Sequence, residues 1–116
     1  MKLTLFMKPL SLNNCFRGRR FDTSIKKMYD ATLQFTLPKE KVIADYYKVT
    51  FRFGLKRCFA GDLDNLCKVL LDNIVDRGII SSDKKVVEIH LFKRPADVDQ
   101  IEITVEPAAM PEGVKP

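Results

Sequence analysis

Three aspartates and one lysine stand at spacings that suit phosphodiester chemistry. Asp62 and Asp64 lie two residues apart at the predicted start of a helix. Lys68 follows Asp64 by one helical turn, and Asp83 opens a later predicted strand. Carboxylate oxygens are the ligands that Mg²⁺ prefers, with Mn²⁺ a second possibility, and a nearby lysine would bring positive charge to a phosphate. If the strand that Asp83 opens lies beside the helix start, the three carboxylates share one metal-binding pocket.

The convergence of Asp62 and Asp64 depends on where the helix begins. Side chains two residues apart within a regular helix point about 200° apart. Asp62 follows Gly61 and occupies the predicted N-cap position, where the backbone is not helical, so its side chain can turn toward that of Asp64. The alternative is structural: Asp62 caps the helix, Asp64 favours its positive end, and Lys68 forms surface ion pairs with Asp64 and Asp72. Spacing alone leaves both interpretations open.

Positive charge is concentrated in the first half of the chain. The net charge is +5, with 13 Lys and Arg against 4 Asp and Glu in residues 1–61, and 7 against 11 in residues 62–116. This division suits a protein that grips a polyanion with one part and carries out carboxylate chemistry with the other, although solvation of loops would give the same counts. Phe16 and Phe21 lie among the basic residues and could stack on bases or be buried. The candidate phosphate contacts are Arg17, Arg19, Arg20, Lys26, Lys27 and Arg57.

Composition excludes several other classes of protein. Cys15, Cys58 and Cys67 have no C-x-x-C spacing, and His90 is the one histidine, so a zinc cluster, a disulfide framework or a serine-type triad is not expected. The cysteines are expected to be buried small hydrophobes. No apolar run is long enough for a membrane span, and Lys8 interrupts the N-terminal stretch that would otherwise resemble a signal peptide. These features predict a reduced, cytoplasmic protein.

The predicted elements alternate in a way that indicates an α+β domain. The order is strand, helix, strand, helix, strand, strand, which favours a small mixed β-sheet with two main helices packed on one face. We expect this single domain over residues 1–106 and a flexible tail over 107–116, with residues 9–20 as an irregular basic loop. The predicted elements are strand Lys2–Met7, a helix from Asp22 or Thr23 to about Leu37, strand Tyr47–Phe53, helix Asp62–Asp76, and strands Val86–Phe92 and Gln100–Val105.

Hydrophobic periodicity supports two of these elements most clearly. Tyr47–Phe53 alternates apolar with polar or basic residues, which indicates a half-buried strand with a basic outer face. The helix after Asp62 has a full core-facing stripe, and Gly78 is placed to end it. The first helix has a looser apolar set of Ile25, Met28, Tyr29, Leu33 and Phe35. The stripe of the second helix is Leu63, Leu66, Cys67, Leu70, Leu71 and Ile74.

The segment around the aspartates resembles the RusA family of crossover-junction endodeoxyribonucleases. In that family a D-L-D-N-x-x-K helix start precedes a segment of the form G-[hydrophobic]-x-x-D-D-x-x-[VI]. This chain has GDLDNLCK at residues 61–68, GII at 78–80 and SDKKVVE at 82–88. The resemblance is strong over about residues 58–106 and weaker toward the N-terminus, where residues 11–14 are similar to a P-S-x-N stretch. The chain departs from the pattern at Ser82, where members often have an aspartate, and in the length of its basic loop.

The resemblance implies a Holliday junction resolvase that acts in DNA recombination and repair. Such enzymes are small homodimers, often encoded by phages or prophages, that bind four-way DNA junctions and nick two opposed strands symmetrically with Mg²⁺ or Mn²⁺. The implied metal-binding catalytic carboxylates are Asp62, Asp64 and Asp83, with Lys68 as an essential basic residue and Asn14 as a DNA contact.

Two other functions remain open from the sequence. The chain could be a non-catalytic, basic, nucleic-acid-binding dimer that serves as a phage accessory protein. It could also be a structural interaction domain whose aspartates only cap a helix. The complete set of three aspartates and one lysine favours the enzyme, because a binding module gains nothing from carboxylates held beside phosphates.

Overall fold

The computed structural model describes residues 1–10, 16–17, 21–57 and 62–110, with the backbone alone described for 16–17 and 21–22. Within these ranges the elements follow the predicted order, with two additional short strands. The α+β class is confirmed. The elements are β1 Lys2–Leu5, β2 Phe16–Arg17, β3 Phe21–Asp22, α1 Ser24–Thr36, β4 Tyr46–Leu55, α2 Leu63–Arg77, a 3₁₀ turn at Asp83–Lys85, β5 Val86–Pro95 and β6 Gln100–Ala108.

The main sheet is mixed and has four strands in the order β1-β6-β4-β5. Strands β4 and β5 are parallel, and α2 makes the crossover that a parallel pair requires. The other pairs are antiparallel. Tyr47, Val49, Phe51 and Phe53 of β4 are buried with their neighbours on β6, and the helices contribute to the same core. The polar residues between them lie on the opposite side of the sheet, which we call the open face.

Helix α2 forms as its periodicity predicts. Leu70 and Ile74 are fully buried, and burial of each such side chain contributes about 1.5–3 kcal/mol. The predicted C-terminal glycine is also confirmed: Gly78 has φ 88°, in the left-handed region. Its N–H donates to Val75 O at 2.9 Å, and Ile79 N–H donates to Ile74 O at 3.2 Å, which together satisfy the last carbonyls of the helix.

Helix α1 buries a narrower stripe than its apolar residues suggest. Thr23 caps it, because its Oγ1 accepts from Lys26 N at 3.1 Å. Tyr29 and Leu33 are buried, as is Leu37 directly after the helix. The remaining apolar residues are exposed because α1 turns a polar side toward α2. They are Ile25, Met28 and Phe35, with exposed fractions of 57%, 72% and 89%.

The loop predicted over residues 9–20 contains regular structure, so that expectation was wrong in part. Strands β2 and β3 form an antiparallel pair in which residue 16 lies opposite 22 and residue 17 opposite 21. Strands β5 and β6 also end later than predicted, at Pro95 and Ala108, because both continue along the ten residues of β4. Residues 111–116 of the predicted tail lie outside the described residues.

The helices that the structure describes are too short or too polar to cross a membrane.

Candidate active site

The start of α2 holds two exposed carboxylates. Asp62 has an extended backbone, with φ −86° and ψ 145°, and its carbonyl accepts the first helical hydrogen bond from Leu66 N at 3.0 Å. The predicted non-helical N-cap position is therefore confirmed. Its side chain, however, makes no capping hydrogen bond. Asp64 is in the first turn, where the helix dipole favours negative charge.

Lys68 lies one turn further along α2 and is paired with Asp72. Its Nζ donates to Asp72 Oδ1 at 3.0 Å, and both side chains are about half exposed. Among the described residues, Lys68 pairs with Asp72 and not with Asp64. The hydrogen bond and charge of Asp72 raise the pKa of Lys68, partial burial opposes this effect, and the charge of Asp83 adds to it. Lys68 is therefore a protonated group held near the carboxylates of Asp72 and Asp83.

Asp83 opens the 3₁₀ turn that precedes β5 and is exposed. Ser82 Oγ accepts from Lys84 N at 3.2 Å and so caps this turn. Ser82, which stands where members of the resembled family often have an aspartate, therefore has a local structural role. Asp83 also lines a groove with Asp72 and Asp76. The chain therefore brings Asp83 to the middle and end of α2.

The carboxylates of Asp62, Asp64 and Asp83 have the oxygen donors that a hard cation prefers, but the three do not lie together around one point. The described residues contain no group of three Asp, Glu, His or Cys side chains that could hold a metal ion. Asp62 and Asp64 lie together at the helix start. Asp72, which shares the groove of Asp83, is about 12 Å further along the helix axis than Asp64. The structure thus joins Asp83 to Lys68 electrostatically without placing it beside the other two aspartates.

The groove between α1 and α2 has a volume of about 370 Å³ and contains a hydrogen-bonded network. Lys26 Nζ donates to Asp30 Oδ2 at 2.6 Å. Asn73, which is 4% exposed, donates from Nδ2 to Asp30 Oδ1 at 2.8 Å and to Val69 O at 3.0 Å. Gln34 Nε2 donates to Asn73 Oδ1 at 3.0 Å. Lys26, a predicted phosphate contact, therefore has a structural partner. We call these residues the α1–α2 network.

A basic cleft of about 190 Å³ lies near the first turns of α2. Leu66 of that helix forms part of its wall, and Lys56 N donates to Asp99 Oδ1 at 2.9 Å. Sequence reasoning selected Arg57 here but missed Lys56, its neighbour along the chain, and Lys8, whose position beside Arg57 depends on tertiary contact. The cleft is lined by Lys8, Pro9, Leu55, Lys56, Arg57, Leu66 and Asp99.

The remaining predicted DNA contacts are only partly described. Lys27 is exposed on α1, and Arg57 is exposed after β4. Arg17 is in β2, but its side chain lies outside the described residues, as do those of Phe16 and Phe21. Asn14, Arg19 and Arg20 also lie outside the described residues.

Cys67 and His90 do not enter the candidate active site. Burial raises the pKa of the Cys67 thiol to about 11, which keeps it neutral and unsuited to be a nucleophile, and confirms the expectation of a buried thiol. Cys15 and Cys58 lie outside the described residues. His90 Nε2 lies 2.7 Å from Glu88 Oε1 on the open face.

Comparison with protein families identifies a match that covers most of the chain. The family described as endodeoxyribonuclease RusA matches residues 13–106, which include the three aspartates and Lys68. A search of curated proteins finds no match. The family match extends over most of the chain and agrees with the mixed sheet and two helices described above. The chain belongs to the RusA family of endodeoxyribonucleases.

Proposed function

We propose that this chain is a metal-dependent endonuclease that resolves four-way DNA junctions by paired, symmetric nicking, in DNA recombination and repair. The observation that carries this proposal is the exposed carboxylate of Asp62. It occupies an N-cap position yet makes no capping hydrogen bond, two residues before the exposed Asp64. A side-chain cap would contribute about 0.5–2 kcal/mol to helix stability, and Asp62 does not supply it. Helix capping therefore does not explain this side chain.

In this proposal Asp62 and Asp64 would supply oxygen ligands for Mg²⁺ or Mn²⁺ at the helix start, and Asp83, which lies near Lys68, would have to move toward them to bind the same ion. The bound metal would activate a water and stabilise charge on the scissile phosphate. Lys68 remains protonated beside Asp72 and offers a positive charge to the phosphate or to the leaving oxygen. Asp72 holds the Lys68 ammonium in place at 3.0 Å.

The DNA arms would be held by basic residues on both sides of the start of α2. The cleft with Lys8, Lys56 and Arg57 is beside its first turns and concentrates three positive charges near exposed carboxylates. Lys27 and the N-terminal arginines extend this surface in the proposal. Phosphate contacts of this kind position DNA without reading its sequence. The N-terminal arginines are Arg17, Arg19 and Arg20.

We also propose that the active form is a homodimer. A four-way junction has two-fold symmetry, so paired nicks on opposed strands need two active sites related by the same symmetry. Light scattering at micromolar concentration should give twice the 13.3 kDa chain mass. A monomeric mass from protein that still cuts both strands would contradict the dimer.

The test of the function compares a synthetic four-way junction with a linear duplex of the same sequence, with and without Mg²⁺. We expect cleavage of the junction only, at symmetric positions and only with metal. Asp97→Asn is the matched control, because Asp97 is an exposed aspartate in the β5–β6 connection. Its activity should equal that of the unmodified protein. Binding of the junction without any cleavage would instead assign the chain to the non-catalytic nucleic-acid-binding class.

A further inference from the structure

The open face of the sheet holds two guanidinium groups over one aromatic ring. Arg52 Cζ lies 4.8 Å from the centroid of the Phe92 ring, and Arg94 Cζ lies 5.1 Å from it. Arg52 is the cross-strand neighbour of Phe92 on β4, and Arg94 is two residues further along β5. The ring attracts both cations and so gathers two positive charges at one place.

Among the residues that the structure describes, neither guanidinium is neutralised by a carboxylate. Glu102 on β6 is the other cross-strand neighbour of Arg52, yet the Arg52 guanidinium turns to Phe92 on β5. Within the described ranges, no carboxylate lies within ion-pair distance of Arg52 or Arg94. Arg94 Nη1 donates to the carbonyl of Lys93 at 3.1 Å. Two exposed like charges held together in this way favour an anionic ligand.

The position of this pair connects it with the candidate active site. Arg52 is three residues before the end of β4 at Leu55, and Arg94 lies opposite Gly54. The basic cleft follows directly after β4, and the chain then leads to the start of α2. The arginine pair therefore lies at the end of the sheet from which the chain runs to Asp62.

We propose that Arg52 and Arg94 bind phosphates of the DNA arm that leaves the candidate active site, with Phe92 as their positioning residue. The inference rests on the proposed function in one respect, since that function makes DNA the ligand. Guanidinium groups recognise phosphate oxygens through paired N–H donors. Because the cations already lie over the Phe92 ring, backbone contact is favoured over base stacking. Glu102 of β6 and Glu88 near the other end of β5 flank the pair, so the arm is directed across the end of β5 that carries Arg94.

The test measures junction binding by fluorescence anisotropy over a range of salt concentrations, in EDTA so that no cleavage occurs. Arg52→Gln and Arg94→Gln should each weaken binding and reduce the slope of log affinity against log salt by about 0.9. The double variant should lose about twice as much. Lys41→Gln is the matched control, because Lys41 is exposed before the opposite end of β4, and its slope should equal that of the unmodified chain.

Phe92→Leu separates positioning from charge. Both arginines remain, so the salt slope should stay the same while affinity falls a few-fold at every salt concentration. Unchanged affinity in a variant that melts normally would overturn the positioning role of Phe92.

Cleavage is assayed separately on the same variants. An unchanged salt slope in the double arginine variant would overturn the arginine contact, even if the protein cuts junctions and the proposed function stands. A reduced slope in a protein that never cuts would support the contact and contradict the nuclease.

Discussion

The α1–α2 network and the start of α2 use similar residues in different ways. Lys26 with Asp30 and Lys68 with Asp72 are both Lys–Asp pairs at i and i+4. The first pair is 2.6 Å long, has side chains that are 19% and 29% exposed, and is anchored by Asn73. The second is 3.0 Å long, with side chains 52% and 51% exposed. The same local spacing thus gives an interhelical anchor in one place and a solvent-facing pair in the other.

The contrast shows where polar side chains stabilise the fold and where they are available for chemistry. In the network each polar group of Asn73 meets a partner on α1 or on its own helix. At the start of α2 the carboxylate of Asp62 is exposed and does not cap the helix. Changes in the first region should therefore alter stability, and changes in the second should alter activity. Three predictions test this division, and one more follows from the buried thiol of Cys67.

The largest effect is expected at the start of α2. Asp62→Asn and Asp64→Asn keep side-chain size but remove the charge that a hard cation requires. Junction cleavage should fall roughly 100-fold or more, equivalent to about 2.7 kcal/mol in the activation barrier. The melting temperature should change little, because Asp62 makes no capping hydrogen bond that could be lost and Asp64 is exposed in the first turn. Single-turnover cleavage and thermal melting measure the two quantities.

Asp83→Asn should follow the same pattern, and Asp97→Asn should leave both quantities unchanged. Junction binding by the Asn variants should persist, because a carboxylate that repels phosphate has been removed. Variants that melt much lower and lose binding in proportion would show that these aspartates are structural.

The α1–α2 network should show the opposite behaviour. Asn73→Ala removes the donor to Asp30 and the acceptor for Gln34, and unsatisfied buried partners cost about 1–3 kcal/mol. The free energy of unfolding in urea should fall by about 2 kcal/mol, while the folded protein keeps its cleavage rate. Thr32→Ala, which removes an exposed hydrogen bond to Met28 O, should cost less than about 0.5 kcal/mol. Equal losses in the two variants would contradict the role of the network.

From the buried thiol of Cys67 we expect the protein to lose stability at alkaline pH. The folded state holds the pKa of Cys67 at about 11, above the ordinary 9.0, so between these values the folded state binds more protons than the unfolded state. Stability is therefore fully present below pH 9 and falls as the pH rises toward 11, by about 2 kcal/mol. Cys67→Ala should lack this part of the decrease. The free energy of unfolding in urea is measured for both proteins at several pH values between 9 and 11. If it falls by the same amount in both, the thiol does not contribute.

The smallest effect is expected for the exposed pair on α2. Asp72→Asn removes the partner that raises the pKa of Lys68, so this pKa should fall toward its ordinary value. The pair stabilises the fold below that pKa and loses its effect as the pH rises through it. At neutral pH the variant should lose at most about 0.5 kcal/mol, because both side chains are half exposed. Lysine NMR titration measures the pKa, with Asp76→Asn as the control. Identical Lys68 pKa values in both variants would refute the pairing.

The sequence alone determined the features that depend on neighbours along the chain. The stripe of α2 and the alternation of β4 predict most of the buried residues, because a helix repeats every 3.6 residues and a strand every two. Leu63 of the stripe is only partly buried, and Val69 and Asn73 are buried outside it. The non-helical position of Asp62 and the left-handed Gly78 follow from helix-end chemistry. The motif around Asp62 and Lys68 also predicted the family that the comparison shows.

Tertiary structure decided which polar groups meet. Lys26 looked like a phosphate contact, but Asn73, 43 residues after Asp30, draws the Lys26–Asp30 pair into the groove between the helices. The exposure of Phe35 on α1 follows from the same polar contact. Arg52 has Phe92 and Glu102 as cross-strand neighbours because β4 lies between β5 and β6, and its guanidinium lies over Phe92. Such outcomes depend on which side chain another segment supplies, and local spacing carries no information about that.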